Sequence, residues 1–296
     1  MFVKPKLERV MIDTLAIWYL SFAPSFAPSY WREAKPLERA RMEYEDELSG
    51  GFLDWFPSLS LTGKDVLDLG CGYGGRSVRY AELGARSLIG VEPAERQCAE
   101  AREFSAQRRI AATFETGFGE SLPLPENCFD CVLSYDVLEH VCDVAKTLEE
   151  CLRVLRVGGS LYAIFPPFHH PTGSHFESWL SKMPWPNVLF PCQTLVKAGT
   201  DIISRRADNY RPDPLRPTDR LWGLNGITIR KLRQIINGLD ADFSIQFAPL
   251  FSSRNRKWAS WHMKYYAPLL APLRHVPILQ ECFTHRIVLT MTKLHR

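Results

Sequence analysis

The sequence predicts a doubly wound α/β fold, a mostly parallel sheet with helices on both faces, carrying two insertions. Three observations predict it. Between residues 61 and 165 short apolar runs alternate with longer amphipathic ones, the rhythm of strands and crossover helices. The apolar runs are nearly continuous, as in strands buried on both faces. A glycine cluster, Gly70-x-Gly72-x-Gly74-Gly75, stands where the first apolar run gives way to a helical pattern.

Taken in order, residues 37–56 read as a helix broken by Gly50-Gly51, 65–69 as a strand and 76–83 as a helix. Residues 87–91 follow as a strand, 94–107 as a helix, then 111–116 and 129–134 as strands. Residues 144–155 read as a helix and 160–165 as a strand. From Pro166 to Leu224 the alternation stops in a stretch rich in Pro, Trp and His. Order returns with a helix at 228–239 and strands at 243–248 and 285–292. The expected organisation is an N-terminal helical segment (1–60), a ligand-binding core (61–165) and an insertion over the carboxyl edge of the sheet (166–225). A C-terminal part of the core (226–296) follows, itself interrupted by a basic, aromatic insertion at 249–283.

Composition excludes several classes. Of 296 residues, 46% are hydrophobic and 23% charged, against wholesale disorder. A net charge of +3 does not argue for nucleic acid. No run reaches the ~18 to 20 apolar residues of a membrane span, and no leader pattern stands at the start. The eight cysteines form no secreted disulfide framework, so the expected compartment is cytoplasmic. Cys128 and Cys131 have a C-x-x-C form without a second pair, which fits core or loop cysteines and no metal.

The chemistry concentrates at the glycine cluster. Glycines admit positive φ and let a ligand approach the backbone. Glu92 closes the second strand 22 positions after Gly70, where a carboxylate can accept ribose hydroxyls. Both features suit a nicotinamide dinucleotide as well. Asp68, two residues before the first glycine, discriminates: a carboxylate there repels a pyrophosphate and attracts a cofactor bearing an ammonium and a sulfonium. A structural role, bonding loop amides, is the alternative for Asp68.

Six ordered motifs carry a resemblance to the class I S-adenosylmethionine-dependent methyltransferases, in particular the small-molecule, ubiquinone-biosynthesis-like branch. They are Val66–Gly75, Gly90-Val91-Glu92-Pro93, Gly119-Glu120-Ser121-Leu122-Pro123-Leu124-Pro125, Phe129-Asp130-Cys131-Val132-Leu133-Ser134, Asp136-Val137-Leu138-Glu139-His140-Val141 and Leu152-Arg153-Val154-Leu155-Arg156-Val157-Gly158-Gly159. The resemblance implies seven strands, the last antiparallel and inserted between the fifth and sixth. It implies S-adenosyl-L-methionine as cofactor. Asp68, Gly70, Cys71, Gly72 and Gly74 would hold its methionine part, and Glu92 with Pro93 the ribose side. Phe118, Gly119 and Glu120 would lie along the adenine, and Ser134, Tyr135 and Asp136 beneath the methionine end. Many relatives have Asp where this chain has Phe118, which would stack on the base or point into the core.

Methyl transfer from a sulfonium is an in-line displacement, and a general base is needed only where the acceptor must lose a proton. The candidates are His140, at the expected start of the helix after the fourth strand, and His169, His170 and His175 directly after the fifth. These three could serve as a base, as a metal site with Glu177, or as a polar loop bonded to backbone. Residues 254–274 interleave basic and aromatic side chains, which suits contact with an anionic bilayer or a lid over an amphiphilic substrate. Ser134-Tyr135-Asp136-Val137 stands where amino-methyltransferases of nucleic acids or proteins often carry Asn/Asp-Pro-Pro-aromatic. The expected acceptor is therefore an oxygen on a small or lipid- or sugar-linked molecule. An RNA or protein methyltransferase and a nicotinamide-dependent oxidoreductase are the alternatives.

Overall fold

The structure is a computed structural model that describes residues 4–26, 35, 37–206, 221–249, 272–273, 276 and 279–295. Apart from Pro272 and Leu273, the basic aromatic stretch 254–274 lies outside the described residues. Its residues divide into two compact units: residues 1–33, 166–228 and 248–285 form one, and 34–165, 229–247 and 286–296 the other.

The second unit is the core. Its strands are β1 (Asp65–Leu69), β2 (Ser87–Glu92), β3 (Thr113–Thr116), β4 (Phe129–Tyr135), β5 (Leu155–Phe165), β6 (Ala241–Pro249) and β7 (Thr284–Lys293). They form one sheet in the order β3-β2-β1-β4-β5-β7-β6. β1 to β5 pair in parallel, whereas β7 runs antiparallel to β5, Ile287 facing Phe165 and Thr292 facing Ser160. The expected antiparallel strand between the fifth and sixth is therefore present. Strands 1 and 4 are apolar on both faces, with Val66, Leu67, Cys131, Val132 and Leu133 buried, because crossover helices cover the sheet.

The core helices are α2 (Glu38–Leu48), α3 (Gly75–Glu82), α4 (Glu95–Arg108), α5 (Val144–Val154) and α8 (Ile229–Ile236). α5 buries Val144, Thr147, Leu148, Cys151 and Val154, one face of a 3.6-residue period. Asp143 starts it by accepting the Lys146 N–H at 3.1 Å. β5 begins five residues earlier than expected: Gly158-Gly159 reads as a stop, yet the pairing with β4 absorbs it as an irregularity between Phe129 and Cys131. At the amino ends of β1, β4 and β5, Arg156 bridges Asp65 and Asp130 at 2.8 Å each. Arg86, hydrogen-bonded to Asp65, together with Ser87 and Arg156, holds the Asp65 carboxyl well below the usual range.

The other unit contains α1 (Lys4–Phe22), α6 (Pro186–Leu189) and α7 (Cys192–Ser204). Its interior gathers Ala16 and Leu20 of α1 with Phe176, Trp179, Leu180, Phe190, Leu195, Ala198 and Ile203. All eight cysteines are free; Cys131 is buried in β4, and Cys128 bonds the Pro125 carbonyl. No described helix is long and apolar enough to cross a membrane.

Candidate functional site

The glycine loop leaves β1 and enters α3. Gly70, Gly72 and Gly74 have φ of +71°, +55° and +77°, and space as well as conformation requires glycine at two of them. A Cβ at Gly70 would lie 2.3 Å from Val137 Cγ2, and at Gly74 2.5 Å from Ala101 Cβ. The Gly70 and Cys71 amides donate to the Val91 carbonyl at 2.7 and 3.2 Å, tying the loop to the end of β2. Cys71 turns its side chain into an apolar cluster with Cys98, Ala101 and Phe114, and burial pushes its thiol up.

Three carboxylates surround this loop. Asp68, 5% exposed, accepts from Ser77 Oγ at 2.5 Å. Burial pushes it up to about 7, against the opposing pulls of Ser77 and Arg76. Glu92 is buried and accepts the Gly72 and Ala94 amides at 3.3 Å each. Pro93, which follows it, leads the chain into α4. Glu43, on α2, accepts the Tyr73 amide at 3.2 Å and the Gly75 amide at 3.0 Å. It too is raised to about 7, chiefly by burial. Sequence reading missed Glu43. The signal was there: Ala40, Glu43 and Glu47 share one helical face, and acids on an inward face need donors. Glu47 meets the same need nearby, accepting the Phe52 and Leu53 amides at 2.7 and 3.0 Å.

The carboxyl end of β4 completes the site. The Ser134 hydroxyl is buried and has no hydrogen-bond partner among the described residues, a group that a bound ligand would satisfy. The Tyr135 ring lies between two guanidinium groups, Arg76 at 4.4 Å and Arg286 at 6.0 Å, and burial pushes its phenol up to about 12. Asp136 adopts φ +55°, donates its amide to the Ile164 carbonyl at 2.8 Å and binds Arg286 Nη1. Glu120 accepts the Cys142 and Asp143 amides, at 2.5 and 3.2 Å, so it fastens its loop to the start of α5. Gly119 lies against Thr147, where a Cβ would come within 3.0 Å of Cγ2. Phe118 is 64% exposed, which removes the alternative of a core position and leaves its ring open to a flat ligand.

The residues fit a cation. Asp68 and Glu43 repel each other, and burial already disfavours their charged forms. A pyrophosphate would add charge of the same sign, whereas an ammonium or sulfonium would relieve it. S-Adenosylmethionine affinity should therefore weaken as pH falls below 7, by up to about tenfold per pH unit for each carboxylate that must ionise. It should level off above about pH 8, where both carboxylates are already charged. Calorimetric titration from pH 5.5 to 8.5 checks this; a flat profile would contradict the assignment.

The four candidate histidines fall in different settings. His140 lies in a turn, its amide on the Val137 carbonyl at 2.8 Å and its ring 3.9 Å from Glu139. It does not begin the helix, because Asp143 caps α5 three residues later. His169 Nδ1 lies 3.0 Å from Glu281 Oε1, and the same oxygen accepts the His169 amide at 3.0 Å. His170 is buried; its Nδ1 accepts the Thr172 amide at 3.2 Å. An amide can only donate, so the His170 proton sits on Nε2, which faces His285 Nδ1 at 3.2 Å. His175 adopts φ +58° ahead of the short turn Phe176–Ser178, its amide on the Thr172 carbonyl. Glu281 and His285, more than 110 residues from their partners, carry no local sequence signal.

An antiparallel seventh strand between the fifth and sixth, a glycine loop after β1 and a carboxylate closing β2 together define the class I methyltransferase fold. Comparison with known proteins agrees. Residues 67–163 match the family described as "Methyltransferase domain". Ubiquinone biosynthesis O-methyltransferase of Rhizobium etli is 33% identical over 102 residues, 34% of this chain and 41% of that protein. The chain thus spans about two fifths of the length of the curated relatives it matches. Among solved structures, phosphoethanolamine N-methyltransferase 2 of Haemonchus contortus in complex with S-adenosyl-L-methionine has a TM-score of 0.53 at 16% identity, covering 83% of this chain and 53% of that one. The [4+2]-cyclase SpnF has a TM-score of 0.51 at 18% identity, covering 93% and 99%. At such identities these likenesses establish the fold. Residues 67 to 163 are thus similar to methyltransferase domains, and the sheet that carries them has the class I fold.

Proposed function

We propose that the chain transfers a methyl group from S-adenosyl-L-methionine to an oxygen of a small or lipid- or sugar-linked acceptor. The observation that carries this reading is the set of carboxylates, Asp68, Glu43 and Glu92, gathered on a glycine loop that admits a ligand to its backbone. Asp68 holds the methionine part, Glu92 the ribose, and the Ser134 hydroxyl gains a partner. When bound, the cofactor supplies a methyl carbon already activated by a sulfonium leaving group. The O-methyltransferase relatives and the Ser134-Tyr135-Asp136-Val137 sequence support an oxygen acceptor.

His169 is the base this reading favours among the four histidines. Glu281 fixes Nδ1–H, as a carboxylate orients an imidazole in other acid–base pairs, which leaves Nε2 able to accept a proton. His170 has its proton committed toward His285, and orients rather than deprotonates. His140 and His175 have weaker claims, the first on Glu139 and the second on the loop backbone.

The test uses the full chain with methyl-labelled cofactor and a cell extract divided into polar and lipid fractions. Label should enter an acceptor as an ether stable to mild base. His169→Ala should lower that transfer by ~10²-fold or more, while S-adenosylhomocysteine affinity stays unchanged. Undiminished transfer in His169→Ala would remove His169 from the role, and label found only on nitrogen or sulfur would remove the oxygen acceptor.

A further inference from the structure

α1 is an amphipathic helix turned inside out. Met11, Leu15, Trp18 and Phe22 are between 53% and 71% exposed, and their spacing of four, three and four residues puts them within an arc of about 60° at ~100° per residue. Val10 at its flank and Phe26 just beyond its end are exposed as well. On the opposite side Ala16 and Leu20 are fully buried in the unit's interior. Two polar side chains also turn away from that row: Asp13 meets Lys197 Nζ at 2.5 Å, and Tyr19 donates its hydroxyl to the Pro184 carbonyl. A single exposed apolar residue needs no explanation, but an aligned row of large side chains marks a surface that something covers.

Charge indicates what covers it. The unit containing α1 has 16 basic and 9 acidic residues, a formal charge of +7, whereas the core unit has 20 and 24, a charge of −4. α1 itself carries Lys4, Lys6 and Arg9 against Glu8 and Asp13. An apolar, aromatic helix face within a cationic unit combines the two signals that hold a protein to an anionic bilayer: burial of large side chains at the acyl boundary and attraction to the headgroups. A second copy of the chain is a poorer occupant, because a two-fold contact through this face would set one +7 unit against another.

We infer that α1 lies on the surface of an anionic membrane, with Met11, Leu15, Trp18 and Phe22 inserted below the headgroups. The inference concerns α1 alone and does not depend on the methyltransferase reading, although a lipid-linked acceptor would be met there.

The experiment is flotation of the full chain with vesicles of phosphatidylglycerol and phosphatidylcholine, and of phosphatidylcholine alone, at 50 mM and 500 mM salt. The wild type should float with the anionic vesicles at low salt and partition less at high salt. A Trp18→Ser/Phe22→Ser double variant should lose roughly tenfold or more of that partition, since two large apolar side chains leave the contact. Both positions are exposed, so thermal melting and S-adenosylhomocysteine affinity should stay as in the wild type. Wild-type protein that fails to float at low salt would overturn the inference, as would flotation that survives the double substitution. A wild-type dimer in light scattering that the same substitutions split would overturn it too, and assign the face to a second copy.

Discussion

Asp68→Asn should stabilise the free protein and weaken S-adenosylmethionine binding, two effects of opposite sign from one atom. The buried carboxylate is raised to about 7, so folding at pH 8 must hold a charge that the unfolded chain carries at no cost. For an acid raised above its unfolded value, stability is fully present at low pH and is lost as pH rises from about 4 through about 7. An amide removes that dependence and still accepts the Ser77 hydroxyl. The ligand, however, loses its charge-assisted partner, about 2–3 kcal/mol or some 30- to 150-fold in Kd. Thermal melting at pH 8 and calorimetric titration read the two halves. A variant that melts lower and binds equally well would make Asp68 a structural residue.

Gly75→Ala should have the largest effect on folding. A Cβ there would lie 2.0 Å from the Ala40 carbonyl oxygen and 2.7 Å from both Glu43 Cβ and the Tyr44 nitrogen. Two of these three atoms are backbone of α2, so the helix itself must move. Moving it opens the cluster of Leu37, Ala40, Val78 and Phe104 and withdraws Glu43 from the Tyr73 and Gly75 amides. Overpacking of this kind costs about 3 kcal/mol, which lowers Tm by roughly 6–12 °C. Cofactor binding should fail with it, because the loop loses one of its three carboxylates. A melting temperature within about 2 °C of the wild type would show that α2 does not pack on the loop in this way.

These two residues show where sequence reading works and where it stops. β1, the glycine loop and Glu92 were legible because strand, turn and carboxylate follow one another between residues 65 and 92, and each obeys a local rule of period or conformation. Glu43 obeys one too, yet its partner amides lie 30 residues away, and the face it shares with Ala40 and Glu47 does not say what it meets. The His169–Glu281 pair spans 112 residues and is invisible until the chain folds. α7 hides inside a stretch without obvious rhythm because its buried positions are Thr194, Leu195, Ala198, Gly199 and Ile203, helical in spacing but weak in apolar character. α1 misleads in the opposite direction, since its strongest apolar residues are the exposed ones.

Among the aromatic positions, Phe118 carries a consequence for specificity. With its ring 64% exposed in place of an acid that could bond the adenine amino group, recognition of the base would rest on stacking. Adenine and its deaminated analogue would then be distinguished less sharply than by a hydrogen bond.

The central claim is that Asp68, Glu43 and Glu92 make the glycine loop a receptor for a cationic, ribose-bearing cofactor. Titrating the full chain at pH 8 with S-adenosylmethionine, S-adenosylhomocysteine and NAD tests it directly. S-Adenosylmethionine and S-adenosylhomocysteine should bind with saturable heat that Asp68→Asn diminishes, and NAD should give none. Saturable binding of NAD, or of neither class of ligand, would contradict the account.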